Sequence, residues 1–500
     1  MHVVWSRWLT PLAIALLAIR PTLNAQHVSS PQPKELTALR GHTNAVWGLA
    51  LTREGQTVVT GSFDKTIKAW DRSSGMERFT LRGHTRCVEF VVLTPNGQTA
   101  YTADQGGTIR AWDLTARREC RKPIETAGRP GFLSMSADGR TLSLGDHHYY
   151  LRQWDLTTGK ELVIGGPRRV SVKVVSADGR LGADTNEKPT RVEIIDLPSG
   201  RIVGTLPARE PLAFSPDGKT LFATDDMTGD VWLWELATGL VRATTQNIEQ
   251  RHIGMIAVHP HGRLLALPKE ERKALMLIDL ATGQGVADIR IDNDLIHRFT
   301  FSADGRVLAV SEAPDTTIRV WDVSELAKSL PRKERLTTVE LDAFWADLAG
   351  HDAPRAWQSI WAMAGSMKHS AAWLGERLKP IVPADPKRTT KLITDLDHNR
   401  FPTRDRATRE LEALGDAAAP TLRQALSANP APEARERIEI LLRRLDTLSA
   451  DRLRSLRAIE ALEYSGAAEA RSLLEKLAGG MPDARLTREA KGAVERLVRR

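Results

Sequence analysis

The sequence predicts a mainly β fold built from seven copies of one unit, followed by an all-α region. Each copy is a strand–turn–strand stretch that stops at Trp-Asp or at a degenerate form of that pair. The stops begin at Trp70, Trp112, Trp154, Ile195, Trp234, Ile278 and Trp321. Their successive spacings are 42, 42, 41, 39, 44 and 43 residues. A period near 42 residues is typical of four-stranded β-propeller blades, which need neighbours to bury their faces.

The composition indicates ordinary globular domains with a mildly basic surface. The chain has 500 residues, of which 41% are hydrophobic, and its 70 basic residues outnumber its 62 acidic ones to give a formal charge of +8. The two signs are interspersed along the chain. This pattern favours solvated charged faces over a nucleic-acid-binding surface, although electrostatic binding of nucleic acid or of an anionic polymer stays open as an alternative.

Residues 1–25 have the pattern of a secretory signal peptide. Arg7 precedes an apolar run over residues 9–19, and a polar stretch ends at Ala25. The run is short for a bilayer span, which needs about 20 residues, so the pattern predicts cleavage, with an uncleaved anchor as the alternative. We therefore expect a protein of the periplasm or cell envelope, or a secreted one, with a linker over residues 26–33. No later segment is predicted to span a membrane.

Cysteine usage excludes two classes of site. The chain contains Cys87 and Cys120 alone. The blade register places Cys87 at an innermost strand and Cys120 at the outermost strand of the same blade, about 14 Å apart at about 4.7 Å per strand spacing. A disulfide needs Cα atoms within about 7 Å, so two free thiols are predicted. Two cysteines without Cys-x-x-Cys-His also exclude c-type haem and cysteine-rich zinc sites.

Within residues 34–330, each predicted blade begins with an inner strand that leads into a glycine turn. The seven turn glycines are Gly55, Gly97, Gly139, Gly179, Gly218, Gly262 and Gly305. Glycine adopts positive φ at little cost, so these hairpins are encoded locally. After Trp321-Asp322 the chain has a helical pattern and no outer strand. The isolated strand 35–39 is therefore predicted to complete the seventh blade and close the ring.

Two blades carry a further polar pattern. Its residues are Gly41-His42 with Ser62, Asp64 and Trp70, and Gly83-His84 with Thr102, Asp104 and Trp112. On these residues the chain resembles the WD-repeat family over about residues 34–323. The resemblance implies a buried structural tetrad in which Asp holds His, His contacts a hydroxyl, and the hydroxyl accepts from the Trp indole. Residues 105–107 are expected to widen the second turn by two residues.

The same residue types also resemble a hydrolase triad. His42, Asp64 and Ser62 would supply base, orienter and nucleophile. The tetrad explains these residues together with Trp70 and with their repetition, so no catalytic residue is predicted and the chain is expected not to be an enzyme. No cofactor or metal is predicted either, because His147, His148 and the other histidines lack ligand spacing.

Counting back from the turn glycines places one residue of each blade near the mouth of the central channel, where WD-repeat proteins often bind partners. These candidate rim residues are Trp47, Glu89, Arg129, Arg169, Glu210, His252 and His297. They combine charges of both signs with an aromatic anchor, as protein interfaces do. The alternative is that they are ordinary loop residues.

The C-terminal third is predicted to be helical. After a linker over residues 331–338, residues 339–500 show apolar stripes at helical spacing, with Trp345, Trp357 and Trp361 expected in the core. Later helix pairs turn at Gly415 and Gly466 and resemble HEAT-like repeats. The three-part organisation as a whole resembles exported WD-repeat proteins of planctomycete bacteria.

The function predicted from these patterns is a non-catalytic scaffold in the cell envelope. The propeller rim and the helical surface would each present contacts to an unidentified protein or peptide partner. A small-ligand or glycan binder, or an enzyme, that uses the channel mouth is the second hypothesis. An electrostatic binder of nucleic acid or anionic polymer is the third.

Overall fold

The structure is a computed structural model that describes residues 31–126, 128–164, 170–185, 191–224, 230–245, 255–269, 272–291, 295–314, 316–330 and 333–499. The predicted signal peptide and residues 26–30 of the predicted linker lie outside these ranges. Within the described part of the chain, every helix is too short or too polar to cross a bilayer. The chain divides into two compact units, one containing the β-sheets and the other containing residues 332–500.

The β unit is a sequence of short antiparallel strands. In chain order the strands are β1 Lys34–Leu39, β2 Val46–Leu51, β3 Thr57–Ser62, β4 Ile67–Asp71, β5 Glu77–Leu81, β6 Val88–Leu93, β7 Thr99–Asp104, β8 Thr108–Asp113, β9 Arg118–Glu119, β10 Ile124–Glu125, β11 Pro130–Met135, β12 Thr141–Asp146, β13 Leu151–Asp155, β14 Lys160–Leu162, β15 Val174–Val175, β16 Leu181–Thr185, β17 Val192–Asp196, β18 Arg201–Leu206, β19 Glu210–Phe214, β20 Thr220–Thr224, β21 Val231–Glu235, β22 Leu240–Thr244, β23 Ala257–Val258, β24 Leu264–Lys269, β25 Ala274–Asp279, β26 Gln284–Arg290, β27 Leu295–Phe301, β28 Val307–Ala313 and β29 Ile318–Asp322.

These strands form seven sheets that follow the chain, so the unit is a seven-bladed β-propeller. Blades one to six hold β2–β5, β6–β10, β11–β14, β15–β18, β19–β22 and β23–β26, and blade seven holds β27–β29 with β1. The first strand of blade one packs against the first strands of blades two and seven. In a propeller these first strands surround the central channel. The predicted fold class is confirmed.

Blade seven takes its outer strand from the N-terminal side of the chain. β1 pairs antiparallel with β29, with Leu39 opposite Ile318. Leu39 is fully buried in one apolar cluster with Val46 and Trp70 of blade one and Ile318 of blade seven. The chain that follows β29 forms a short helix, α1 Ser324–Ser329, in place of a fourth strand. The first and last blades therefore share a core, and β1 covers the edge that β29 would otherwise expose.

Local turn chemistry behaves as the sequence predicts. The seven turn glycines have φ between 64° and 73°, the left-handed region in which a Cβ is unfavourable. Ile195 and Ile278 are buried at the positions where other blades have Trp. Cys87 and Cys120 are free thiols, as expected.

The second unit is helical. Its helices are α2 Thr338–Ala349, α3 Ala353–Gly365, α4 Met367–Arg377, α5 Pro386–Asp395, α6 Phe401–Leu414, α7 Ala419–Ser427, α8 Pro432–Asp446, α9 Ala450–Ser465, α10 Ala468–Ala478 and α11 Arg485–Arg499. A 3-10 turn, Gly415–Ala417, joins α6 to α7, and Gly466 ends α9 with φ of 60°.

The helical unit has two packed groups. α5 to α8 share one apolar cluster that includes Leu396, Leu411 and Ile438. α9 packs against α2, α3, α4, α10 and α11. Trp357 and Trp361 are buried as predicted, whereas Trp345 is half-buried and meets Trp373 edge to face at 5.6 Å between ring centroids.

Candidate functional site

In blade one, four side chains form a continuous hydrogen-bonded chain. His42 Nδ1 lies 2.7 Å from Asp64 Oδ2, and His42 Nε2 lies 2.7 Å from Thr60 Oγ1. Trp70 Nε1 donates to the same Thr60 oxygen at 2.8 Å. The strand register explains the meeting point: Val58 pairs with Trp70, and Thr60, two residues further along β3, lies on the same face.

The donors and acceptors of this tetrad are determined by chemistry. An ionised carboxylate only accepts, so His42 Nδ1 must carry a proton toward Asp64. Thr60 Oγ1 accepts from Trp70 Nε1 and shares a further hydrogen bond with His42 Nε2. Each polar group buried between the strands thereby has a partner, which is the condition for burying it without a large penalty.

Asp64 is electrostatically adapted to this role. Burial raises the pKa of Asp64, but hydrogen bonds from His42 and Thr66 lower it by more, so the net pKa lies well below the ordinary value. The carboxylate therefore stays charged in moderately acidic solution. Asp64 holds the histidine ring in one orientation under these conditions.

The glycine before each tetrad histidine has a steric reason. Gly41 has φ of 147°, and a Cβ there would lie 3.2 Å from Cη2 of Trp70. Gly83 has φ of 153°, and its Cβ would lie 3.1 Å from Cη2 of Trp112. The backbone thus passes over the indole at a distance that only glycine permits.

The predicted hydroxyl of the first tetrad, Ser62, is wrong. Ser62 Oγ donates to Asn44 O at 2.8 Å and accepts from the Asp64 backbone, and it has no contact with His42 or Trp70. Ser62 and Thr60 share a strand face but lie two residues apart, so only Thr60 is level with the indole. Thr60 is fully buried, and its hydroxyl oxygen is hydrogen-bonded to His42 and Trp70.

The second tetrad matches its prediction in every member. His84 contacts Asp104 at 2.8 Å and Thr102 at 2.7 Å, and Trp112 donates to Thr102 at 2.8 Å. Burial raises the pKa of Asp104, but the hydrogen bonds from His84 and from backbone amides lower it by more, so the net pKa lies below its ordinary value.

The expected widening of the second turn is also wrong. The hydroxyl and the indole are ten residues apart in both blades, and the pairs that close the two turns, Gly61–Ile67 and Ala103–Ile109, have the same spacing. What differs is the aspartate, which occupies the turn at Asp64 in blade one and the end of the strand at Asp104 in blade two. Both reach the histidine, so the tetrad tolerates a two-residue shift of its acid.

Blades five and seven place apolar side chains where Thr60 and Thr102 stand. Leu308 pairs with Trp321 and Leu221 with Trp234, which puts Val310 and Ala223 at the equivalent positions. Trp321 Nε1 and Trp234 Nε1 are buried and have no hydrogen-bond partner among the described residues. In these two blades the indole therefore contributes packing without a hydrogen bond from its Nε1.

The predicted rim residues coincide in part with a repeated backbone irregularity. The first strands of five blades carry one extra residue relative to the second strand, which is a β-bulge. The extra residues are Trp47, Glu89, Gly131, Leu212 and His297. Three predicted rim residues occupy this position. Arg129 and Glu210 lie two residues before it.

An aromatic cluster joins blades one and seven at these bulges. Trp47 stacks on Phe63 with ring centroids 5.2 Å apart and meets His297 edge to face at 5.0 Å. Burial and the positive charges of Arg272 and Arg298 lower the pKa of His297, so its ring is neutral at pH 7. Trp47 is half-buried, which leaves part of an already ordered indole open to a partner.

Arg298, which the sequence analysis missed, is the cation of this region. Its Nε donates to Trp47 O at 3.3 Å, and its guanidinium carbon lies 5.5 Å from the Trp47 ring centroid and 5.7 Å from that of Phe90. Ser311 Oγ accepts from the Arg298 backbone amide. We name Trp47, Phe63, Phe90, His297 and Arg298 the inner-strand cluster. The sequence signal was an arginine next to a predicted rim position.

Glu89 is buried beside this cluster and is already neutralised. It forms a two-contact ion pair with Arg129, one contact being Arg129 Nε to Glu89 Oε2 at 3.0 Å, and it accepts from Gln105 Nε2 at 2.8 Å. The hydrogen bonds that Arg129 donates to Glu89 raise the pKa of Arg129. This pair links blades two and three.

The remaining predicted rim residues are not brought into the cluster by the described structure. Glu210 pairs with Lys173 Nζ at 3.1 Å, between blades five and four. Arg169 and His252 lie outside the described residues. Over the ranges given above, no group of three or more His, Cys, Asp or Glu side chains is arranged to hold a metal ion.

Comparison with known families agrees with this geometry. The family described as WD domain, G-beta repeat, matches residues 33–71, 75–113 and 291–322, which contain β1–β4, β5–β8 and β27–β29. No curated protein gave a match to the chain. The chain therefore contains WD40 repeats, and these repeats are part of a seven-bladed β-propeller that precedes a helical region.

Proposed function

We propose that the chain is a non-catalytic interaction scaffold that binds a protein or peptide partner at the inner-strand cluster. WD40 propellers commonly serve as protein-interaction scaffolds. The observation that carries the proposal is Trp47, a half-buried indole held between Phe63 and His297. Such an ordered aromatic loses little side-chain entropy on binding, which is why tryptophan is enriched among binding hot spots.

The surroundings of Trp47 support the same proposal. An interface hot spot combines an aromatic anchor with charged and polar groups at its margin. Here Arg298 and the Arg129–Glu89 pair provide those groups beside the indole. The tetrads, by contrast, are buried and saturated with internal hydrogen bonds, so they stabilise the blades that position the cluster.

The helical unit is proposed to provide a second contact surface. Stacked helix pairs of the HEAT-like kind present extended faces suited to proteins. Val339 and Phe401 expose 78% and 60% of their surface, and they are candidate contacts on α2 and α6. This surface would bind a second partner or orient the first.

The test is partner capture followed by a measured affinity. The full-length chain is used to isolate partners from a cell-envelope extract, and each identified partner is purified and titrated. Trp47→Ala is expected to weaken binding about tenfold or more, the size of a hot-spot loss near 1.4 kcal/mol. Met76→Ala is the matched control, because Met76 is also a large exposed apolar residue of blade one, lying outside the cluster.

An equal affinity of wild type and Trp47→Ala for every purified partner would contradict the proposal. Thermal unfolding of Trp47→Ala and Met76→Ala shows that both variants are folded when their affinities are compared.

We further propose that the chain acts in the cell envelope or is secreted. The support is the signal-peptide pattern of residues 1–25. Fractionation of the native host, with sequencing of the mature N-terminus, is expected to recover an exported chain that begins near residue 26. A cytoplasmic chain that retains residues 1–25 would contradict it.

A further inference from the structure

We propose that the inner-strand cluster recognises a carboxylate side chain in an acidic segment of the partner, and that Arg298 is the residue that binds it. This inference rests on the proposed interaction function and names the chemistry of the partner. It is carried by the surroundings of one guanidinium group.

Arg298 is surrounded by aromatic rings and backbone. Its guanidinium lies near the rings of Trp47 and Phe90, and its Nε is taken by Trp47 O. Ring faces attract a cation but do not neutralise it. Burial lowers the pKa of Arg298, yet an arginine stays charged at neutral pH because its ordinary pKa is above 12. The cluster therefore keeps a full positive charge in a half-buried place.

No acidic side chain of the described residues forms an ion pair with Arg298. Glu89 is close enough to stabilise the charged form of Arg298. Its oxygens, however, are bound by Arg129 and Gln105. Most partly buried arginines elsewhere in the propeller have direct carboxylate partners, as Arg110 has in Glu119 and Arg319 in Glu312. Among the partly buried arginines of the described propeller, Arg298 and Arg72 have no such ion pair. For Arg298, which lies in the cluster, a ligand carboxylate would supply the missing partner.

The wider charge balance also favours an anion. Arg272 lies near enough to lower the pKa of both His297 and Arg298, which marks a positive potential at the cluster. The Arg129–Glu89 pair contributes no net charge. A carboxylate bound by Arg298 would therefore also be attracted by the positive charge of Arg272, and the neutralised Glu89 would repel it little.

The aromatic frame indicates a peptide as the source of this carboxylate. A glutamate side chain offers one charge on an aliphatic stem, and the Trp47–Phe63 stack can cover such a stem. Nucleic acid would instead present a phosphate at every nucleotide and would need a row of cations. Arg298 is a single cation between two aromatic rings, so one carboxylate with apolar flanks fits it best.

The experiment compares two pools of short peptides on the full-length chain. Both pools are N-acetylated and C-amidated hexapeptides with randomised flanks, and they differ only in a fixed central Glu or Gln. Binding is measured by fluorescence polarisation at constant ionic strength. We expect the Glu pool to bind about tenfold more tightly, as for a charge-assisted contact of about 1.4 kcal/mol.

Three variants test the role of Arg298. Arg298→Gln is expected to abolish the preference for Glu, whereas Arg306→Gln, an exposed turn arginine, is the matched control and is expected to retain it. Glu89→Gln removes the nearby negative charge and is expected to strengthen Glu-pool binding severalfold. Because this third effect is a gain, it cannot come from a damaged fold.

Equal binding of the two pools, binding of neither, or a preference that survives in Arg298→Gln would overturn the inference. Tighter binding of a single-stranded oligonucleotide than of the Glu pool would do so as well. These outcomes are separable from failure of the proposed function, which is decided by Trp47→Ala and the purified partner. A partner that requires Trp47 but is unaffected by Arg298→Gln keeps the interaction surface and rejects the carboxylate.

Discussion

Blades one and seven are neighbours with the same strand plan, but their tryptophans are in different chemical states. Trp70 of blade one donates its indole proton to Thr60 at 2.8 Å. Trp321 of blade seven has a buried indole nitrogen without a partner in the described structure, because Val310 occupies the place of Thr60. One hydroxyl separates a hydrogen-bonded indole from an isolated donor.

The comparison shows that a blade can form without a tetrad. A net hydrogen bond contributes about 0.5–1.5 kcal/mol, whereas an unsatisfied buried donor costs about 1–3 kcal/mol. Blade seven bears that cost and still forms, because packing of residues such as Leu308 and Ile318 and the added strand β1 offset it. Blades with a tetrad should therefore respond strongly to loss of one member, and blade seven should respond to gain of one.

The largest effect is expected for His42→Ala in blade one. The change removes the ring that joins Asp64 to Thr60 and leaves a partly buried carboxylate without its main side-chain donor. We expect the free energy of unfolding to fall by about 2–4 kcal/mol. Chemical denaturation of the full-length chain measures it, with the exposed His351→Ala as control. A loss no larger than that of the control would contradict the structural role of the tetrad.

A smaller loss is expected for Thr60→Val, which makes blade one resemble blade seven. Valine keeps the volume of threonine but gives Trp70 no acceptor, so a loss of about 1–3 kcal/mol is expected. The double variant with His42→Ala should lose less than the sum of the two, because both changes break one network. Ser62→Ala should have a smaller effect than Thr60→Val. The reverse order would restore Ser62 as the tetrad hydroxyl.

The choice between Thr60 and Ser62 shows what could not be predicted from the sequence. The Trp-Asp period, the turn glycines and the closing strand are local signals, and the structure follows them. Two hydroxyls on one strand face are equivalent in a sequence, and only the pairing of Val58 with Trp70 decides between them. The equal ten-residue spacing from Thr60 to Trp70 and from Thr102 to Trp112 was the available clue.

The candidate site was harder to predict because it depends on bulges and on contacts between blades. A bulge adds one residue to one strand of a pair, and Arg129 and Glu210 lie two residues before the bulges of their blades. Arg298 lies in blade seven, yet its contacts are with Trp47 of blade one and Phe90 of blade two. Such a contact has no local sequence pattern, because the three residues meet only when the ring is closed.

Acid should weaken the tetrad blades selectively. The pKa of Asp64 in the folded chain lies below the ordinary value of 3.8, so folding favours its charged form. This contribution is fully present above about pH 5 and is lost as the pH falls through the pKa of the folded state. We expect the stability difference between wild type and Asp64→Asn to shrink as the pH is lowered from 5 to 3, with a slope approaching one proton. A difference that is constant over this range would contradict the assignment.

The smallest effect, and a gain, is expected for Val310→Thr in blade seven. The new hydroxyl would stand two residues beyond the pairing partner of Trp321, where Thr60 stands relative to Trp70, and it would accept from Trp321 Nε1. Arg319 O, the counterpart of Lys68 O in blade one, would be available to accept its proton. We expect the free energy of unfolding to rise by about 0.5–1 kcal/mol in denaturant unfolding, since a buried donor acquires a partner.

Val320→Thr in the same blade is the control. It adds the same hydroxyl at a place without an unpaired donor, and it should lower the free energy of unfolding by about 1–2 kcal/mol. If both variants lose stability equally, the unpaired indole N–H of Trp321 does not lower the stability of blade seven. The difference between blades one and seven then lies in packing alone.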